Sequence, residues 1–217
     1  MRLSVGKTFI AAILCLALAA CGGPQAAPAA AGKQPAPAAA GARVAPAVAA
    51  AAAAATTTTT TSPYCGITWG STAKASGPLS SAPLVAVRTG RHTCWDRVVF
   101  EFNGTAKGYS VRYSSPILTE GEGVNLVPYT AGGAHLWVTL RAPAYDANHV
   151  ATIQGRTGDH MVNVLRYTTL RDVVFGGSFE GYTTFAVGVR ARLPFRVMLL
   201  AGPGTHSRIV VDVAHRW

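Results

Sequence analysis

Charge is scarce in this sequence, and negative charge most of all. Asp, Glu, Lys and Arg supply 13% of the 217 residues, and nine acidic residues face 19 basic ones, a formal net charge of +10. The nine acids are dispersed, so no pair of carboxylates can be nominated for glycan cleavage. Six histidines (His92, His135, His149, His160, His206, His215) fall singly, without H-x-x-H or H-x-H pairs. No other ligand stands at metal spacing, so neither a metal nor a cofactor is expected. Ser178, in Gly176-Gly177-Ser178-Phe179-Glu180-Gly181, lacks the G-x-S-x-G spacing of a nucleophile elbow and reads as a turn before a strand. No catalytic residue emerges, and the chain reads as a non-enzyme. Blocks of Lys and Arg are missing too, which argues against nucleic acid as a partner. Beyond the N-terminus no run reaches the ~18 apolar residues of a membrane span, which excludes a polytopic membrane protein.

What is abundant is alanine. It accounts for 19 of the 32 residues over 24–55, and much of the mean hydropathy of +0.26 comes from there. Arg2 and Lys7 precede an apolar run from Thr8 to Ala20, the pattern of a secretory signal peptide over 1–20. The run ends in Leu18-Ala19-Ala20-Cys21-Gly22, which resembles the lipobox of bacterial lipoproteins. That resemblance implies a diacylglyceryl group on Cys21, with cleavage just before it. The expected location is the extracytoplasmic face of the cell membrane, held by acyl chains. Residues 21–62 then form an Ala/Pro/Thr segment with almost no large side chain to offset the cost of ordering a backbone, so a disordered tether is expected. As a coil, residues 22–62 reach roughly 35 Å, and about 130 Å fully extended.

Residues 63–217 carry a different pattern, the period-2 alternation of strands. Val98, Phe100 and Phe102 point one way while Arg97, Val99 and Glu101 point the other. Asn103-Gly104 supplies turn residues before a strand lined by Tyr109, Val111 and Tyr113. Further strands are expected over 134–141, 162–175, 182–190, 195–200 and 208–213, nearly all bounded by Gly-rich turns such as Gly176-Gly177 and Gly202-Pro203-Gly204. Residues 143–157 leave room for one helix. The expected fold is all-β, two small packed sheets. Cys15 leaves with the signal and Cys21 takes lipid, so Cys65 and Cys94 are an even pair in an exported domain and should form a disulfide.

The surface offers more than the catalytic search. The region holds 15 Lys/Arg against 9 Asp/Glu, a net charge of 15 − 9 = +6. On the strand over 134–141, Leu136, Val138 and Leu140 should face the core, leaving His135, Trp137, Thr139 and Arg141 opposite. A Trp beside Arg and His suits glycan binding, the ring on a sugar face and Arg on a carboxylate or phosphate. The other reading is that another sheet covers this face and Trp137 is a core residue. Arg190, Arg192 and Arg196 flank an expected hairpin turn at Leu193-Pro194 and join the candidate glycan-binding set, unless they form a solvated strand face.

These residues also carry a resemblance. Cys94 to Phe102, then Gly108 to Tyr113, resembles the opening of the AMIN-like domain found in lipoproteins of actinobacteria. Ala134 to Leu140 looks like its middle strand. Phe179-Glu180-Gly181, Phe185 to Gly188 and Ser207 to Val213 look like its C-terminal half. The resemblance implies a fold of two small β-sheets and a role in envelope targeting through peptidoglycan. It transfers no defined ligand set. The leading expectation is a lipid-anchored, non-catalytic envelope protein that binds peptidoglycan or an associated anionic wall glycan. The alternatives are a protein–protein module recruiting a wall hydrolase or synthase by an edge strand, and a small carrier or enzyme for envelope lipids or glycans.

Overall fold

A computed structural model describes residues 62–217. The expected signal peptide, the lipidation site at Cys21 and the tether up to residue 61 lie outside the described residues. Nine strands follow one another: β1 (Lys74–Ser76), β2 (Leu84–Arg91), β3 (Trp95–Phe102), β4 (Tyr109–Tyr113), β5 (Ala134–Leu140), β6 (Leu170–Phe179), β7 (Tyr182–Val189), β8 (Phe195–Ala201) and β9 (Ser207–Ala214). They form two sheets, ordered β1-β4-β5-β7-β6 and β2-β3-β9-β8, with every pairing antiparallel. No α-helix occurs among the described residues.

The alternation read from the sequence decides which side chains meet between the sheets. Val98, Phe100 and Phe102 of β3 and Ile209, Val211 and Val213 of β9 are fully buried from one side. Leu136, Val138 and Leu140 of β5 and Phe185, Val187 and Val189 of β7 are buried from the other. Phe185 is the contact point of the layers, with its ring centroid 4.8 Å from Phe100 and 5.3 Å from Phe175. Each fully buried Phe or Leu contributes about 1.5–3 kcal/mol by leaving water. The layers are also joined by a polar pair, since buried Asp96 accepts the backbone N–H groups of Thr169 (2.5 Å) and Leu170 (3.1 Å) and contacts His215 Nε2 at 3.1 Å.

Four expectations of local structure are corrected. The chain does not turn back at Asn103-Gly104 into a neighbouring strand: β3 and β4 lie in different sheets, and Ser207 Oγ holds the crossing by donating to Gly104 O and accepting from Ala106 N. Leu193-Pro194 is likewise no hairpin, because β7 and β8 belong to different sheets and both turn residues are buried. The strand expected over 162–175 begins only at Leu170 and runs through Gly176-Gly177 to Phe179. Those glycines form a β-bulge, with pairing passing from Phe175↔Phe185 to Ser178↔Thr183. A Cβ on Gly176 would lie 2.7 Å from Leu126 Cδ1, so the loop covering the sheet requires glycine there. The hairpin reverses instead at Glu180-Gly181, whose φ values of 47° and 82° match the turn that suits twisted strands. The room for a helix over 143–157 holds turns, where Asp146 Oδ1 accepts from Asn148 N and Val150 N.

The N-terminal part, weakly patterned in sequence, adds β1 and β2. It is tied down by the expected disulfide between Cys65 and Cys94, 29 residues apart, with a Cα–Cα distance of 6.3 Å.

Candidate functional site

The outer face of the five-stranded sheet is built by the outward residues of β4 and β5. Their register sets Arg112 opposite Trp137 and Ser110 opposite Thr139. Cross-strand neighbours stand about 4.5–5.5 Å apart at Cβ, close enough for a guanidinium to lie on an indole. It does so, with Arg112 Cζ 4.0 Å from the Trp137 ring centroid. Such a stack contributes about 0.5–1 kcal/mol at an exposed site and holds the guanidinium flat.

Part of this face is covered, and by a loop rather than by another sheet. Residues 114–131 fold back over it, closed by Leu126 N donating to Ile117 O (2.8 Å) and Thr119 N to Val124 O (3.0 Å). Ile117 and Leu126 thereby bury themselves against Val174 and Ala186, and half-buried Trp137 packs against this second small core. No sheet covers Trp137: one portion is packed under the loop, and the remainder lines a shallow depression with Ser110, Arg112, Glu120, Arg141 and Tyr182. Its indole Nε1–H has no partner among the described residues. Arg141 sits in the same depression and donates from Nη1 to Gly77 O at 2.5 Å.

His135, next outward on β5, lines a second depression with Tyr113 and Arg192. Its Nε2 lies 3.1 Å from Thr130 O, where a ring N–H donates to the carbonyl. The Arg192 guanidinium lies 5.1 Å from the Tyr113 ring and donates to Ser71 O at 3.1 Å. Tyr113 both donates to Leu193 O and accepts from Leu193 N, at 2.9 Å each, and burial raises its pKa above the usual tyrosine value.

The three arginines grouped by sequence are separated. Only Arg192 joins His135. Arg190 donates to the carbonyl of His215 at 2.6 Å. Arg196 lies on the outer face of the four-stranded sheet, where its Nε donates to Asp212 Oδ2 at 2.9 Å. There Asp212, 0% exposed, is also held by Arg97, whose Nε and Nη2 donate at 2.6 and 2.9 Å. The same register that aligns Arg97, Asp212 and Arg196 across three strands puts Glu101 opposite Arg208. Glu101 is buried and accepts from His206 Nδ1 (2.7 Å) and from Arg88, which together hold its pKa below the usual value against the opposing effect of burial. Arg196 also lies 4.4 Å from the Trp69 ring, and Trp69 packs edge-on against Trp95 at 5.7 Å.

Sequence reasoning missed Arg112. Its outward direction was legible from the alternation of Tyr109, Val111 and Tyr113, but its partner was not, since register depends on the fold. Among the described residues no three His, Cys, Asp or Glu side chains are grouped to hold a metal ion.

A two-sheet antiparallel sandwich with one outer face half closed by a loop and half open over an arginine–tryptophan stack is the class the fold defines. Residues 82–215 match the AMIN-like domain, and the chain belongs to that family. No curated protein matches the chain. Membership suggests a cell-wall-related, peptidoglycan-binding module, of a kind that is generally non-catalytic.

Proposed function

We propose that this protein is a lipid-anchored envelope protein whose β-sandwich binds peptidoglycan, or an anionic glycan attached to it, through the outer face of the five-stranded sheet. The observation that carries the reading is the Arg112–Trp137 stack. Arg112 has no carboxylate partner among the described residues, Arg141 none either, and both line the depression beside the ring. A sugar carboxylate or phosphate would meet guanidinium donors held in place by packing, with Ser110 and Thr139 hydroxyls beside them. His135 and Arg192 line a second depression that offers further donors to a glycan. The net charge of +6 over 63–217 favours encounter with an acidic wall, an effect that salt screens. Cys21 and the tether supply the anchor and the reach.

The test is co-sedimentation of the chain with purified cell wall across a salt series. Binding at low salt should fall as salt rises, and Trp137→Ala with Arg141→Ala should reduce it at least tenfold while the fold is kept. Absence of binding at low salt, or binding unchanged in the double variant, overturns the reading. Radiolabelled palmitate should enter the wild-type chain and not Cys21→Ser; equal labelling of the two would reject the anchor.

A further inference from the structure

Sheet edges present unpaired N–H and C=O groups and invite another strand, so proteins close or shorten them. Among the described residues three of the four edges are short, occupied or charged. β1 has three residues. The edge of β6 is taken by residues 158–161, with Gly158 N donating to Phe175 O (2.8 Å), Phe175 N to Asp159 O (2.9 Å) and Met161 N to Val173 O (2.8 Å). The edge of β2 is taken at Leu84, whose O accepts from Thr152 Oγ1 (2.6 Å) and whose N donates to Pro143 O (2.7 Å); beyond it Val87, Thr89 and Arg91 have no backbone partner among the described residues, and Arg88 and Arg91 put charge on that stretch, which discourages a second strand.

The edge of β8 is different. Ala214 N donates to Pro194 O and Gly202 N to His206 O, which continues the β8–β9 ladder through the even-numbered residues. The N–H and C=O groups of the odd-numbered residues therefore point away from β9. Phe195 N is used by Gly70 O at 2.9 Å. Among the described residues no backbone group meets those of Val197, Leu199 and Ala201; Arg208 Nη2 reaches Ala201 O at 3.3 Å. The segment Val197-Met198-Leu199-Leu200-Ala201 holds no charge, no proline and no bulge, and Leu199 is 41% exposed.

We propose that this edge pairs with the β8 edge of a second copy, antiparallel about a two-fold axis at Leu199. The segment is self-complementary in that register. Leu199 faces Leu199 of the other copy, Val197 faces Ala201, and each of these pairs can exchange two backbone hydrogen bonds from the odd-numbered groups. On the opposite face Met198 meets Leu200, so each side of the joined sheet gains an apolar patch without a charge opposed. The turn at Gly202-Pro203 ends the partner's strand where Gly70 closes the edge, which disfavours a slide in register. The result is one continuous sheet from two four-stranded sheets, carrying two copies of the outward-facing Arg112–Trp137 stack.

Sedimentation velocity of the chain starting at residue 21 and carrying Cys21→Ser, which has neither signal nor lipid, tests the pairing over a concentration series. The expected result is a dimer that dissociates on dilution. Leu199→Lys, a substitution at an exposed position, should raise the dissociation constant at least tenfold by opposing two ammonium groups on the axis, with circular dichroism unchanged. Leu199→Cys should give a covalent dimer on oxidation, whereas Leu165→Cys, fully exposed on a loop, should not. A chain that stays monomeric at every concentration, or a dimer untouched by Leu199→Lys, overturns the proposal. Wall binding by the monomeric Leu199→Lys chain is read separately, so failure of the pairing leaves the glycan-binding test intact.

Discussion

The two outer faces of the sandwich are made from the same residue types and use them in opposite ways. On the four-stranded face, arginines meet carboxylates: Arg97 and Arg196 close on Asp212, and Arg88 closes on Glu101. On the five-stranded face, Arg112 and Arg141 have an indole and a backbone carbonyl as partners; Glu120 lines the same depression, but neither guanidinium pairs with a carboxylate among the described residues. A guanidinium already matched by a buried carboxylate has little left to offer a ligand. One held in position by an aromatic ring keeps most of its donors. The difference teaches that the position of the nine acids, rather than the number of basic residues, decides which face can recruit an anion.

Three measurements bear on this contrast. The largest effect should come from the disulfide side of the four-stranded sheet. Replacing both Cys65 and Cys94 by Ser should lower unfolding free energy by about 3–4 kcal/mol, the loop-closure value for a separation of 29 residues. Denaturant titration measures it, and a loss below about 1 kcal/mol would show that the N-terminal segment is held by packing alone. Next, Asp212→Ala should cost about 2–3 kcal/mol by leaving Arg97 and Arg196 unmatched, whereas Arg112→Ala should cost under about 1 kcal/mol in stability and weaken wall binding instead. If the two variants behaved alike in both assays, the contrast between the faces would fail. The smallest effect concerns pH. Glu101 has a folded pKa below its ordinary value of 4.5, so its contribution is present above that value and is lost as pH falls through the lower, folded one. Glu101→Gln should flatten the stability profile below about pH 4.5; an unchanged acid limb would assign that loss to other carboxylates.

The sequence told much about individual strands and little about how they assemble. β3, β5 and β9 were legible because each buries one face only, so the alternation of Val98, Phe100 and Phe102 against charged neighbours survives in the residue order. β2 was not, because its inward set, Leu84, Val87, Thr89 and Arg91, becomes polar where the sheet ends. Asn103-Gly104 and Leu193-Pro194 look like hairpin turns since turn chemistry records that a chain changes direction. It does not record which sheet receives it. The same limit hid Arg112, placed over Trp137 by register alone, and scattered Arg190, Arg192 and Arg196, whose closeness in sequence spans the crossing between the layers. The bulge at Gly176-Gly177 was read as a strand end because a glycine pair signals a turn, while its close neighbour Leu126 comes from a loop 50 residues earlier.

The disulfide has a mechanical consequence. A pull on the N-terminal side of Cys65 passes through the sulfur bridge to Cys94, the residue before β3, so residues 66–93 lie in a closed loop outside the path of the force. β3 is the strand that receives the load, and it is bonded to β2 on one side and β9 on the other along its length. A tug that would otherwise peel β1 and β2 away strand by strand is taken instead by the middle of a sheet.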